Sequence, residues 1–477
     1  MADDAVTSLE SGPPTGDRLR GDIGIVQYFT LGFGTIIGSA WVVLLGDWLV
    51  AAAPGGAVLG FVAGGIVMMV IGYCYAELIK RLPEAGSEFI YAYRVFGPAT
   101  GFVVGWFLIL YLVGVTVYEA LALPWVLEVL FPGLKGVTLY GAFGSVITSD
   151  ALEISIAVWV VVTLLNVLGV KTAVRFHSVL TFSFLTIALC VIAIMLGSGS
   201  LSNAQPLWRT PSGTPWWIGA AGLFAFCAYG LNGFQAIPQT IEERASRVAL
   251  STIARILVIS IGLAALFYCL VIIGVSVAAP WRVSIRAPLA AAAAASAVPW
   301  GHVVAAALLC ATATSLLKAW NGIFMMAVRL LLAMARVGLF PRALATLDAR
   351  FGSPRLAVLT IAALNFLGIF LGRGAVEPIT DMCAMVLTLT YVMCCVTVLL
   401  LRRRAQMLGE TARSDAIVWC GLVGAVVMAI AAFVSPFLRG DGGLPLEWQL
   451  LIVWSIAGLV FWFASARTRT VAPEPTL

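Results

Sequence analysis

Leu31-Gly-Phe-Gly-Thr-Ile-Ile-Gly-Ser-Ala-Trp41 puts three glycines and two small hydroxyl residues at the middle of an otherwise apolar run, 23–50. A second run, 216–239, carries Phe226-Cys-Ala-Tyr-Gly-Leu-Asn-Gly-Phe-Gln235, with two glycines and an asparagine at its centre and Pro238 one turn later. Glycine weakens a helix by roughly 1 kcal/mol relative to alanine. Unwound backbone at membrane depth is tolerated only where it is buried in protein or lines a cavity. Taken singly, either stretch also fits close packing of the small-xxx-small kind. The two lie five apolar segments apart, at matching places in two five-segment halves. That pairing predicts an inverted repeat with a solute held where the helices break. Half-helix N-termini suit a carboxylate, and freed carbonyls suit an ammonium.

The surrounding chain fits a bilayer. Of its 477 residues, 61% are hydrophobic and 11% charged, with a mean hydropathy of +1.02. A soluble domain carries about 25% charged residues, so this chain lacks the polar residues to cover a water-facing surface. A spanning helix needs about 20 apolar residues, and twelve candidates are visible. They are 23–50, 56–79, 97–130, 151–168, 176–196, 216–239, 256–278, 303–328, 356–371, 378–401, 416–437 and 446–464. The segment 356–371 is the shortest. The expected fold class is an all-α polytopic membrane protein of twelve transmembrane helices, with helices 1 and 6 discontinuous.

Lys and Arg collect in cytoplasmic loops. With the N-terminus inside, 21 of the 28 basic residues fall on the cytoplasmic side, six outside, and Lys318 within a span. A missed or invented helix would scramble this asymmetry, so both termini are expected in the cytoplasm and the protein in the cytoplasmic membrane. Most Trp residues sit at span edges, as an aromatic belt requires. The predicted organisation is a cytoplasmic tail (1–22), a ten-helix core (23–401), two additional helices (402–466) and a second tail (467–477). The polar N-terminus lacks the apolar core and cleavage site of a secretory signal. The outside loops near 132–150, 197–215 and 280–299 are short and poorly charged, too small for a receptor ectodomain. Nine scattered Cys without a CxxC pair and two His, His177 and His302, give no metal-ligand pattern. No cofactor is expected, and positive-inside topology accounts for the basic surface without nucleic acid.

Several stretches together resemble the amino acid–polyamine–organocation superfamily of secondary transporters, over nearly the whole chain. They are Gly38-Ser-Ala40, Tyr75-Ala-Glu-Leu-Ile-Lys-Arg-Leu-Pro-Glu-Ala-Gly-Ser-Glu-Phe89, Asn166-Val-Leu-Gly-Val-Lys171 and Gly233-Phe-Gln-Ala-Ile-Pro-Gln-Thr-Ile-Glu-Glu243. Ala333-Met-Ala-Arg-Val-Gly-Leu-Phe-Pro341 and Arg350-Phe-Gly-Ser-Pro354 complete the set. The resemblance implies a five-plus-five inverted repeat of the leucine-transporter type, two extra helices, and alternating access around an amino acid or amine between helices 1 and 6. It carries Gly38, Ser39 and Ala40 over as the carboxylate-binding segment. Tyr229, Gly230, Asn232 and Gly233 become part of the unwound segment facing the amine. Two positions depart from the pattern. Ala40 stands where the family usually has a third Gly, and Gln235 where many members have Asp or Glu. Trp41, beside the first break, is a candidate either for shaping the pocket or for packing.

An ionisable side chain at bilayer depth is costly unless paired or hydrated, which makes it a site candidate. Glu119, within the third segment, suits contact with a substrate ammonium or transport of a coupled proton. It also suits a neutral role, capping a helix break or bonding to a neighbouring helix. Lys318 lies one turn after Thr314 and Ser315 in the eighth segment. In sodium-coupled transporters of this fold, hydroxyls of that region hold the ion, and in some proton-coupled relatives a fifth-helix Lys takes its place. Here Phe184 stands at that Lys position, so Lys318 is the candidate for the missing cation. Pairing with Glu119, or a place in a watery vestibule, are its structural alternatives. Asp47 and Asp381 lie nearer span ends.

A membrane enzyme would need converging nucleophile, acid–base or metal residues, and no such set is visible. A receptor does not need paired glycine breaks, and a channel would show a repeated filter or charged ring. The expected function is secondary transport of an amino acid, coupled to protons rather than sodium, or exchanging. The alternative solutes are a small amine such as ethanolamine, or a polyamine.

Overall fold

The computed structural model describes residues 23–134, 136–408, 414–439 and 443–467. The expected tail 1–22 and residues 468–477 of the expected tail 467–477, and with them Arg18, Arg20 and Arg469, lie outside the described residues, as do Lys135 and Arg413. The chain is helical almost throughout. Among the described residues, ten helices are long and apolar enough to cross a membrane, so the protein is polytopic and integral to a bilayer. Two further apolar helices, Trp216–Gly230 and Arg355–Leu371, are shorter. Of the twelve expected spans, ten are long helices and two are short ones among the described residues.

The reasons for the two short helices differ. The segment 216–239 is cut by its own glycines. Helix α8 (Trp216–Gly230) stops, and four residues of helix, α9 (Ala236–Gln239), follow the gap. The segment 356–371 is one helix, α14 (Arg355–Gly368), that tightens into a 3-10 turn over Ile369–Leu371.

The first apolar run is also cut. Helix α1 (Ile25–Ile36) ends in extended backbone at Ile37, and α2 (Ala40–Val43) begins after Ser39. Helix α3 (Leu45–Arg81) joins what the sequence separates into runs 23–50 and 56–79. The boundary between those runs is a kink at Ala53, with φ of 53°, followed by Pro54, rather than a loop.

After α3 come the short α4 (Glu88–Phe96) and the long α5 (Pro98–Leu130). A hairpin of β1 (Thr138–Ala142) and β2 (Ser145–Thr148) precedes α6 (Ser149–Val167) and α7 (Val170–Ser198). Beyond α9, the long helices are α10 (Leu250–Ala278) and, after the short α11 (Trp281–Ser284) and α12 (Ala290–Ser296), α13 (Gly301–Arg336). Then follow α14, α15 (Val376–Met407), α16 (Ala416–Arg439) and α17 (Leu446–Ala464). The broken helix α1 is enclosed by α7, α10 and α13, and α3 packs along α8 and α10. Helices α16 and α17 bury the smallest share of their surface along with α6 and α7, so they lie at the periphery.

One end of this core is tied by charge. Arg329 Nε of α13 meets Glu243 Oε1 at 2.9 Å, with both side chains buried. Burial pushes the Glu243 carboxyl above the usual carboxylate range, and the Arg329 guanidinium opposes that shift. The Glu243 carbonyl accepts from the Ile23 amide at 2.9 Å, and Tyr28 Oη donates to the Thr240 carbonyl at 2.9 Å. Arg336 bonds Glu242 at 2.6 Å, and Glu242 accepts from the Ala85 amide at 3.0 Å. The start of α1, the turn after α9, the end of α13 and the α3–α4 link are thus one latch. Arg329→Met strands a buried carboxylate, and breaking such a pair costs about 3–5 kcal/mol. A clear fall in the melting temperature of the detergent-purified protein is the expected result.

Candidate functional site

Each break leaves backbone groups that a continuous helix would have bonded, and inside a membrane these must be satisfied by protein. At the first break, α13 supplies the partners. Ser315 Oγ lies 2.7 Å from both the Ile37 and Gly38 carbonyls. Lys318 Nζ donates to the Gly34 carbonyl at 2.6 Å and to the Ile37 carbonyl. At the second break, α5 and α15 do the same work. Tyr391 Oη donates to the Ala228 carbonyl at 3.1 Å. Tyr111 Oη donates to Asn232 Oδ1 at 2.8 Å, and Asn232 Nδ2 donates to the Tyr229 carbonyl. Gln235 folds back so that its Oε1 accepts from the Gly233 amide at 2.7 Å, while its Nε2 bonds Tyr391 at 3.2 Å. Gln235, standing where many members of the resembled family have Asp or Glu, is therefore a neutral cap on the break.

The two breaks touch. Gly233 has φ of +104°, and a Cβ placed there would come within 2.7 Å of the Thr35 backbone. No other residue type fits both that conformation and that approach.

Where they meet, a small cavity of about 20 Å3 lies between four elements. The first break contributes Gly38, Ser39 and Ala40, together with Thr35 and Ile36. The second contributes Tyr229, Gly230 and Asn232. Val115, Tyr118 and Glu119 come from one face of α5, at i, i+3 and i+4, and Tyr268 comes from α10. Glu119 is 3% exposed, and its Oε2 has no hydrogen-bond partner in the protein. A Cβ built on Gly38 would lie 2.6 Å from Glu119 Oε1, so the carboxylate sits directly over the Gly38 backbone. Ser39 Oγ and Tyr118 Oη are 2.9 Å apart, and the Tyr118 ring meets the Tyr229 ring edge to face. An unpaired carboxylate, two aromatic walls and a polar backbone are a chemistry suited to a small ammonium.

The structure thus brings Gly38, Ser39, Ala40, Glu119, Tyr229, Gly230 and Asn232 to one cavity. Gly233 lies behind it, at the contact between the breaks. Trp41 does not line the cavity. Its ring packs against Phe184 at 5.8 Å and Phe267 at 5.5 Å. Thr314 bonds back to the Cys310 and Ala311 carbonyls of its own helix and takes no part in the break. Lys318 is fully buried and makes no ion pair with Glu119. Its ammonium lies 4.4 Å from the Phe184 ring centroid. Beside it, His177 Nε2 is 2.9 Å from the Thr30 carbonyl, and the Thr35 hydroxyl is buried without a partner.

Tyr118, Tyr268 and Thr35 were not singled out in the sequence. Tyr118 was within reach, because it adjoins Glu119 on the same helix face. Tyr268 is one more aromatic in an apolar run and carried no signal. Tyr118→Phe removes the partner of the Ser39 hydroxyl. A neutral hydrogen bond is worth about 1 kcal/mol, so the melting temperature of the detergent-purified protein is expected to fall slightly, with solute affinity falling no more than about fivefold.

Comparison with known proteins adds a name to this arrangement. Residues 23–462 match the family model described as amino acid permease. The chain is 26% identical over 408 residues to the vacuolar cationic amino acid transporter 2 of Arabidopsis thaliana, covering 82% of this chain and 61% of that protein. It is 24% identical over 468 residues to the branched-chain amino acid permease BcaP of Bacillus subtilis, covering 94% of each. It is 23% identical over 449 residues to the methylthioribose transporter of Bacillus subtilis, covering 92% of each. The chain belongs to the amino acid permease family, a group of membrane permeases and not of enzymes, within the amino acid–polyamine–organocation superfamily.

Proposed function

We propose that the protein is a secondary active transporter that carries an amino acid across the cytoplasmic membrane by alternating access. The observation that carries this reading is the meeting of two helix breaks around a cavity that holds one unpaired carboxylate, Glu119. In this account Gly38, Ser39 and Ala40 face the solute carboxylate. Tyr229, Gly230, Asn232, Gly233 and Glu119 surround its amine. The core 23–401 is a five-plus-five inverted repeat of the leucine-transporter type, in which the shorter α8–α9 and α14 segments also span. Residues 402–466 add two helices, and both tails are cytoplasmic.

The coupling ion in this account is a proton, carried between Glu119 and Lys318, with Ser315 steadying the first break. Lys318 puts its ammonium on the carbonyls that a coupling cation would otherwise seek, which favours a proton over sodium. Thr314, whose hydroxyl bonds back to its own helix, is the second hydroxyl of this coupling region, one turn before Lys318.

Glu119 as the one acid on the cavity wall favours a solute with a single amine. A polyamine would call for several carboxylates. A small amine such as ethanolamine satisfies Glu119 equally and is the second reading. The named relatives act on cationic and branched-chain amino acids and on methylthioribose, so relationship does not choose among solutes. Proteoliposome uptake of a panel of amino acids and amines, with a pH gradient and with or without sodium, tests the reading. Saturable, gradient-driven uptake of an amino acid is expected. Uptake of no panel member, or uptake driven by sodium at equal pH, contradicts it.

A further inference from the structure

Where α3 ends and α10 begins, on the side that the basic loops assign to the cytoplasm, the surface opens into a groove of about 320 Å3. Tyr73, Ala76, Glu77, Lys80, Arg255 and Ile259 line it. Its charges are unequal in availability. The Glu77 carboxylate is already engaged, accepting from Arg402 Nη2 at 2.6 Å and from Arg81 Nε at 3.2 Å. Lys80 and Arg255 are exposed and form no ion pair among the described residues; Arg255 Nε makes one long bond, 3.4 Å, to the Ser251 carbonyl. Tyr73 Oη accepts from Arg402 Nη2 at 3.3 Å, which leaves its own proton for an outside acceptor. The groove therefore offers two free cations and one hydroxyl donor beside a neutralised acid.

Away from these groups the walls turn apolar and face outward. Ile259, Leu263 and Leu266 are exposed along one face of α10, and Ile66 is exposed on α3. Cations at the membrane surface above an apolar, outward-facing track match an amphiphile with an anionic head. Basic pockets between transmembrane helices on the cytoplasmic side take anionic lipid headgroups, and guanidinium pairs well with phosphate.

We propose that this groove is a binding site for an anionic phospholipid. Its phosphate lies between Lys80 and Arg255 and accepts from Tyr73, and one acyl chain follows Ile259, Leu263 and Leu266. Bound there, the headgroup also reaches the network of Arg402, Glu77 and Asp415 that joins α3, α15 and the start of α16.

The test titrates the detergent-purified full chain with phosphatidylglycerol, with phosphatidylcholine of the same acyl chains, and with inorganic phosphate, following bound lipid by native mass spectrometry. Wild type is expected to retain phosphatidylglycerol over phosphatidylcholine and to be insensitive to phosphate. A double variant, Lys80→Gln with Arg255→Gln, is expected to bind phosphatidylglycerol about 25-fold more weakly, from two surface-level basic charges at about fivefold each. Arg342→Gln with Arg350→Gln removes equal charge from exposed positions elsewhere on that side and should change nothing, and Lys80→Arg alone should keep wild-type binding. Equal loss in the Arg342 and Arg350 variant would reduce the effect to general surface attraction. No preference for phosphatidylglycerol, or displacement by inorganic phosphate, would overturn the lipid site.

Discussion

Lys318→Met is expected to cut solute uptake about tenfold or more and to leave the remaining uptake flat across external pH. Nothing else among the described side chains bonds the Gly34 carbonyl, and an orphaned buried acceptor costs about 1–3 kcal/mol. The Ile37 carbonyl keeps Ser315, so the first break loses one of its two ties to α13 rather than both. Methionine has nearly the volume of lysine and accepts the Phe184 ring, so the chain should still fold. Uptake by proteoliposomes between acidic and neutral external pH is the measurement. A pH profile unchanged from wild type would remove Lys318 from coupling and with it the proton pathway proposed here.

Glu119→Gln is the second large effect. The side chain keeps its shape and its hydrogen-bonding capacity but loses the charge that faces the cavity. Hydrogen bonds to a charged group contribute about 1.5–3 kcal/mol, so the dissociation constant of an amine-bearing solute should rise by about 10- to 150-fold. Solutes with the amine blocked should be little affected. Calorimetric titration of wild type and variant with matched amine and N-acetyl compounds separates the two. Equal weakening for both would place Glu119 in a structural role, away from the amine.

The breaks were legible because glycine, asparagine and proline stand out against long runs of Leu, Val, Ile and Ala. Glu119 and Lys318 were legible for the same reason, as charges in an apolar background. What closes the breaks was not. Ser315 and Lys318 reach Gly34, Ile37 and Gly38 from the far half of the chain, and Tyr111 reaches Asn232 from α5. Such partners are set by packing and leave no local pattern. Gln235 drew notice for the acid it lacks, whereas its work is to hold Gly233. Trp41 drew notice as a neighbour of the break, yet a helix turns successive side chains by about 100° and carries it onto Phe184 and Phe267. The β1–β2 hairpin escaped because its tight turn, Phe143-Gly144, uses two positive-φ residues without the Asn-Gly or Asp-Gly signature.

The central claim is that the solute sits where the two breaks meet, with its amine toward Glu119. A structure of the protein bound to the best amino acid from the uptake panel tests it directly. The account predicts the solute between Gly38–Ala40 and Tyr229–Asn232, its amine nitrogen about 3 Å from a Glu119 oxygen. A solute bound elsewhere, or one whose amine faces away from Glu119, would contradict it.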